Sequence, residues 1–235
     1  MSEPRAENGS ALVVRDLVRT FPTPTDPLVV LDGVSFELDR SSTLSIVGPS
    51  GCGKSTLLHI LGTLDRPTGG AVIIDGTKPF ELDEVELARF RNHQIGFVFQ
   101  DHHLLPQLTV LENVLLPCMA DELTHTGGAT TRERAVELLD RVGIRDRMAH
   151  LPAELSGGER QRAAIARALI MKPSVVLCDE PTGNLDQKTA ASVAELLLEA
   201  HKEEGVLLVV VTHSPLLAER FDRHAELVEG RLHLN

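Results

Sequence analysis

The stretch TLSIVGPSGCGKSTLLHIL, residues 43–61, decides the fold. It opens on an apolar, β-branched run, turns through glycines at 48, 51 and 53, and continues with apolar residues at three- and four-residue spacing. A buried strand, a tight turn and an amphipathic helix follow one another in the order that a phosphate cradle requires. Gly48, Pro49, Ser50, Gly51, Cys52, Gly53, Lys54, Ser55 and Thr56 fit the pattern GxxxxGK[ST]. Glycines let the main chain wrap close to phosphate oxygens, and successive N–H groups converge at the positive end of the helix. In such a loop Lys54 reaches the β- and γ-phosphates, and the Ser55 hydroxyl ligates Mg²⁺. A glycine-rich turn without a ligand is the competing reading, and the Lys-Ser pair in register argues against it.

Outward from this loop, strands alternate with helices. ALVV (residues 11–14) and VSFEL (34–38) read as short strands joined by the proline-rich FPTPTDP, where each proline disfavours helix before it. AVIIDG (71–76), IGFVFQ (95–100), SVVLCDE (174–180) and VLLVVVTHS (206–214) read as further strands, mostly continuous apolar runs. Residues 109–147 have a helical pattern broken by a loop, THTGGATT, at 124–131. Helices are also expected over QKTAASVAELLLEAHKEEG (187–205), with its glycine stop, and over PLLAERF (215–221). AELVEG and RLHL form a terminal hairpin. Val- and Ile-rich strands of this kind suit a parallel sheet covered on both faces.

Composition narrows the function. The chain has 235 residues, long enough for one domain with a sizeable core. A net charge of −11 argues against nonspecific binding to nucleic acid or anionic lipid. There is no Trp or Tyr, so a base-stacking surface is not expected. Three cysteines without a CxxC pair read as free thiols in a reducing compartment. The start, MSEPRAENGS, has no apolar core of a signal peptide, and the apolar run VLLVVV is far short of a membrane span. Any membrane role is expected to come through a partner.

Carboxylates stand at the end of VVLCDE, and ligands of open α/β sheets bind beyond the carboxyl ends of strands. Asp179 is a candidate Mg²⁺ holder, direct or through water. Glu180 is the candidate base for an attacking water. Acidic residues at strand ends also simply form turns, so the pair gains its meaning from the cradle. Gln100 ends IGFVFQ and could approach Mg²⁺ or the water; His213 follows VLLVVVT and could reach a γ-phosphate. Each is equally an ordinary strand-end residue. Asp101, His102 and His103 cluster beside Gln100, but adjacent histidines on one element make poor joint metal ligands.

LSGGERQ, residues 155–161, puts a Ser-Gly-Gly turn at the start of an Ala-, Ile- and Arg-rich helical pattern, a second anion site at a helix N-terminus. It resembles the signature motif of ATP-binding-cassette (ABC) ATPases. The other motifs stand in that family's order: the P-loop, Gln100 of the Q-loop, the signature, VVLCDE, GNLD (183–186) as D-loop, and His213 as the switch histidine. The series runs from Gly48 to His213, and the flanking strands also fit.

The resemblance implies an α/β P-loop NTPase with a mostly parallel core sheet, an antiparallel β subdomain and a helical signature subdomain. It makes residues 1–235 a single nucleotide-binding domain, with the helical part at approximately 101–165. It implies ATP and Mg²⁺, hydrolysis through Glu180, His213, Lys54 and Gln100, and a metal held by Ser55, Gln100 and Asp179. It also implies a head-to-tail homodimer in which Ser156, Gly157, Gly158 and Glu159 meet the γ-phosphate held by the partner's Lys54, with Asp186 completing the set. Phe21 takes the place of the family's adenine-stacking Tyr, or else is core. Ser214 stands where an Asp is common after the switch histidine, and Cys52 occupies a P-loop position that contributes mainly main chain.

LLHILGTLDRPTGG, HHLLPQLTVLEN and DEPTGNLD closely resemble the ATPases of lipoprotein-releasing systems, which extract lipoproteins from the inner membrane. Macrolide-export ATPases and the regulatory ABC ATPase of cell division share parts of these segments and stay open. A DNA-repair ABC ATPase does not fit, since the loop around residues 126–131 is too short for a coiled-coil insertion. The implied partners are two integral membrane subunits and no nucleic acid; the implied place is the cytoplasmic face of the inner membrane, as a peripheral protein. Leu104 to Pro117 lies where the family docks its membrane partner, and reads equally as an amphipathic core helix.

Overall fold

The structure, a computed structural model, describes residues 10–24, 26–120 and 129–234. In chain order its elements are β1 (Ser10–Phe21), β2 (Leu28–Asp39), β3 (Thr43–Val47), α1 (Lys54–Leu61), β4 (Gly69–Ile74), α2 (Glu84–Gln94) and β5 (Ile95–Val98). There follow α3 (Val110–Met119), α4 (Ala129–Arg141), α5 (Gly157–Leu169), β6 (Val175–Asp179), α6 (Gln187–Glu204), β7 (Leu207–Val211), α7 (Pro215–Ala218), β8 (Arg223–Val228) and β9 (Arg231–Leu234).

The strands form two sheets. One is antiparallel, in the order β2-β1-β4; the other has the order β5-β6-β7-β3-β8-β9 and is parallel except for the β8–β9 hairpin. The first two strands are much longer than their apolar cores suggested. Asp16, at φ 45°, forms a bulge with the register shifting between Val14 and Leu17, so β1 carries past a break in the alternation.

The larger sheet separates two cores, and the side chains of β6 and β7 alternate between them. Val175, Leu177, Leu207 and Val209 face a core shared with β1, β2, β4 and α1. Val176, Cys178, Leu208 and Val210 face the opposite core, shared with α3, α4, α5 and α6. Both faces are therefore covered, which is why these strands are apolar throughout. Arg134 and Arg141 of α4 also bind Glu204 at the end of α6, fastening the helical side from outside.

Two local readings are corrected. No helix was expected over 84–94, yet α2 is there, opened by a reciprocal capping box in which Asp83 accepts from the Glu86 N–H at 2.8 Å. Only Leu87 of this helix is buried, so it carried no apolar stripe to read; the Asp-x-x-Glu cap was its one signal. The loop expected at 124–131 lies mostly outside the described residues, and Thr130 and Thr131 belong to α4.

Candidate active site

The order β6-β7-β3 brings three carboxyl ends side by side. Asp179 pairs with Val211, Val211 with Ile46, and the Thr212 N–H donates to the Ile46 carbonyl at 3.0 Å. The residues that continue these strands, Gly48, Glu180 and His213, are thereby gathered at one edge of the sheet. This is the place where open α/β sheets bind ligands.

The loop from Gly48 to Gly53 curls tightly onto its surroundings. Gly53, at φ 103°, caps α1, and a Cβ there would stand 2.8 Å from the Val30 carbonyl. A Cβ on Gly48 would meet the Leu227 carbonyl at 2.3 Å. No side chain caps α1 and none of its first-turn residues is acidic, so its N-terminal N–H groups and positive dipole end face an external anion. The buried Lys54 ammonium lies inside the arc, donating to the carbonyls of Gly48 and Pro49 at 2.9 Å each. Cys52 Sγ is 3.9 Å from it.

Asp179, at the end of β6, lies beside Ser55 at the start of α1. Burial pushes the Asp179 carboxyl up and the charge of Glu180 adds to this, against the opposing pull of Ser55, His59 and Lys54. A partly desolvated carboxylate beside a hydroxyl is a pair of hard oxygen donors suited to Mg²⁺.

Glu180 occupies a left-handed backbone position, φ 46°, uncommon for a side chain of this size. Its Oε2 accepts from the Thr212 hydroxyl at 3.1 Å and from the His213 N–H at 3.2 Å, and lies 2.9 Å from His213 Nδ1. The expected base and switch histidine are thus in direct contact. Thr212, which the sequence reading passed over, is the third member of the cluster. The strained turn at Glu180 is stabilised by these contacts and by its own N–H on the Val211 carbonyl at 2.9 Å.

Gln100 points elsewhere. Its Nε2 donates to Asn184 Oδ1 at 3.0 Å, and the Asn184 amide reaches Asp101 at 3.4 Å. Gln100 therefore engages the GNLD turn rather than Ser55 or Asp179. Asp186 of that turn caps α6, accepting from the N–H groups of Lys188 and Thr189 at 3.1 Å and from the Thr189 hydroxyl.

The signature turn begins α5 with a capping box of its own. The Glu159 carboxylate accepts from the Ser156 N–H and hydroxyl, both at 2.8 Å, and from Arg147 Nε at 2.9 Å. The Ser156 main chain and side chain, then Arg147, pull the Glu159 carboxyl down to about 2. Glu159, expected to touch nucleotide, is here a cap. Gly157 and Gly158 lie against Leu185 and Thr189; a Cβ on Gly158 would stand 2.5 Å from Thr189 Cγ2. His102, unused by the sequence reading, donates from Nε2 to the Gly157 carbonyl at 3.1 Å.

Phe21 ends β1 opposite Leu28, on the hairpin whose Val30 abuts Gly53. One face of its ring is covered by the Arg19 guanidinium, 4.2 Å from the centroid. Ser214 caps α7 and donates its N–H to the Thr212 hydroxyl at 3.0 Å. Cys52 and Cys178 are free thiols, and among the described residues no His, Cys, Asp and Glu cluster forms a separate metal site. No helix of the described residues is long and apolar enough to cross a membrane.

The chain is similar to known proteins in sequence and in fold. The family model described as ABC transporter matches residues 31–183. The lipoprotein-releasing system ATP-binding protein LolD 1 of Rhodopirellula baltica is 56% identical over 94% of this chain and 95% of its own length. The lipoprotein-releasing system ATP-binding protein LolD of Geobacter metallireducens is 49% identical over 95% of this chain and 98% of its own. Among solved structures, the dimeric post-hydrolysis state of the ATP-binding cassette MJ0796, bound to ADP and Pi, superposes with a TM-score of 0.87 at 40% identity. It covers 95% of this chain and 97% of that one.

Proposed function

Since the chain belongs to the ABC transporter family and is an ABC-type ATPase, we propose that it drives lipoprotein release from the inner membrane as the ATP-hydrolysing subunit of a membrane complex. The observation that carries this reading is the 56% identity to a lipoprotein-releasing ATP-binding protein over nearly the whole chain. The macrolide-export and division-regulating readings have no comparable support among these relatives.

Hydrolysis is assigned to the cluster at the strand ends. The P-loop amides and Lys54 bind the β- and γ-phosphates, drawing Lys54 from carbonyls it already touches. Glu180 takes the proton of the attacking water at its carboxylate. Thr212 and His213 fix Glu180 Oε2, and His213, mostly exposed, is free to turn towards the γ-phosphate. Ser55 and Asp179 would hold Mg²⁺, which supplies charge neutralisation on the phosphates. Gln100 would have to leave Asn184 to help hold that metal. Phe21 offers adenine its face away from Arg19.

Two copies pair head to tail, so that Ser156, Gly157 and Gly158 of one meet the phosphate bound by the other. The dimeric cassette MJ0796 supports the pairing of two copies. The γ-phosphate then joins the subunits and its loss releases them. The membrane partners dock beside the Q-loop, where a groove of about 460 Å³ is lined by Phe97, Phe99, Leu116, Pro117 and Met171. The exposed part of the Leu104–Pro117 segment serves this contact, while Val110, Leu111, Asn113 and Val114 face the core. The chain is then peripheral, on the cytoplasmic face.

Tagging the chain, extracting it gently from native membranes and identifying its partners by mass spectrometry tests the assignment. Transmembrane subunits with a large periplasmic domain and bound lipoprotein are expected. A small division-type membrane partner without cargo would overturn lipoprotein release while leaving the ATPase intact.

A further inference from the structure

His102 lies two residues after Gln100, yet its side chain serves another part of the molecule. The ring is buried, and Nε2 donates to the carbonyl of Gly157, in the first turn of α5. Its backbone is left-handed at φ 63°, as is that of His103 at φ 49°, so two adjacent residues hold an uncommon conformation. That conformation is fixed from α5 itself: Arg167 donates to the carbonyls of His102 and His103 at 2.6 Å each. Gln161, between these points on the same helix, donates to the Phe99 carbonyl at 3.4 Å. The segment 99–103 is therefore strapped to α5 at Gly157, Gln161 and Arg167, ten residues or about 15 Å of helix.

Of these straps, only His102 reaches the turn that carries Ser156, Gly157 and Gly158. A hydrogen bond to a first-turn carbonyl sets the rotation of that peptide, and with it the direction of the neighbouring N–H groups. Those N–H groups are what a phosphate would meet. The Ser156–Glu159 cap fixes the turn from its solvent side and His102 from the side of Gln100.

We propose that His102 is a positioning residue for the signature turn, acting through the Gly157 carbonyl, so that its influence falls on the nucleotide bound by the partner subunit. The proposal rests on the shared-site reading above. It separates His102 from Gln100, two positions away, whose reach is to the nucleotide of its own chain.

Mixed dimers read the difference. One subunit carries Lys54→Ala, which leaves it a signature but no working P-loop. The other carries Glu180→Gln, which retains bound Mg-ATP. His102→Ala placed in the Lys54→Ala subunit is expected to weaken ATP-dependent dimerisation by about three- to tenfold, the worth of one hydrogen bond. Placed in the other subunit it is expected to leave dimerisation unchanged. Both arrangements contain one altered subunit, so a general folding defect would weaken them equally and overturn the proposal. His102→Gln, which keeps an N–H donor, is expected to restore dimerisation in the first arrangement; failure to restore it also overturns the proposal. Ser156→Arg in the same two positions reports on the underlying reading: loss only in the signature-donating subunit supports it. Equal loss in both would remove the shared site and the role of His102 with it. If Ser156→Arg is one-sided while His102→Ala acts in the nucleotide-holding subunit, the shared site stands and His102 belongs with Gln100.

Discussion

Two helices of this protein begin at glycine-bearing turns, and their first turns are finished in opposite ways. At α1 the capping position is Gly53, left-handed and without a side chain, and the Lys54 ammonium stands inside the loop. At α5 the capping position is Ser156, and Glu159 closes the turn with a carboxylate that Arg147 neutralises. The first turn leaves its N–H groups for an outside anion; the second already holds an anion of its own. A phosphate approaching Ser156 must compete with Glu159, whereas one approaching the P-loop meets a cation and unoccupied donors. The P-loop is therefore equipped to bind nucleotide alone, and the signature turn only in concert with it.

The largest effect expected is on turnover. Glu180→Gln should lower hydrolysis by roughly 10² to 10⁴, the usual contribution of a positioned base. The same change should prolong the ATP-bound dimer, seen as phosphate release in one assay and as sedimentation in another. Undiminished phosphate release would remove Glu180 from the chemistry. Next, Ser156→Arg should abolish turnover yet leave ATP binding to isolated chains as it was, while Lys54→Ala removes that binding. Loss of binding on isolated Ser156→Arg chains would erase the contrast between the two turns.

Smaller effects test how rigidly each turn is built. Gly53→Ala adds a Cβ at φ 103° against the Val30 carbonyl and should cost about 1–3 kcal/mol in urea unfolding. Gly158→Ala meets only Thr189 Cγ2, which can turn away by giving up its bond to Asp186, and should cost about 0.5–1.5 kcal/mol. A reversed ranking would mean that the signature turn is the stiffer of the two.

The smallest effect concerns pH. The Glu159 carboxyl is lowered in the folded chain from 4.5 to about 2. Its stabilising contribution is therefore complete above about pH 4.5 and is lost as pH falls through about 2. Glu159→Gln should flatten the melting temperature across that window by lowering it near neutrality and leaving it little changed near pH 2. An unchanged slope would show that the cap does not set the turn.

Much of this was legible in residue order. The stretch 43–61 revealed strand, turn and helix because each has its own period or glycine demand, and VVLCDE announced carboxylates at a strand end. Helix α2 escaped because a surface helix with one buried residue leaves no apolar stripe. β1 was read too short because a bulge at Asp16 breaks the alternation that marks a strand. Glu159 and Asp186 also cap the N-termini of their own helices, a role that the Ser-x-x-Glu spacing at 156–159 carries for Glu159.

The sequence by itself determined the kinds and order of the elements, the P-loop and the family, because each rests on contacts between residues close in the chain. Only the tertiary structure decided that Glu180 meets His213 and Thr212, that Gln100 turns to Asn184, and that His102 supports Gly157. These partners lie 32 to 84 residues apart. Their meeting follows from the order β5-β6-β7-β3, in which crossover connections bring distant strand ends together. Local periodicity records which face of a strand is buried, but not which strand lies beside it.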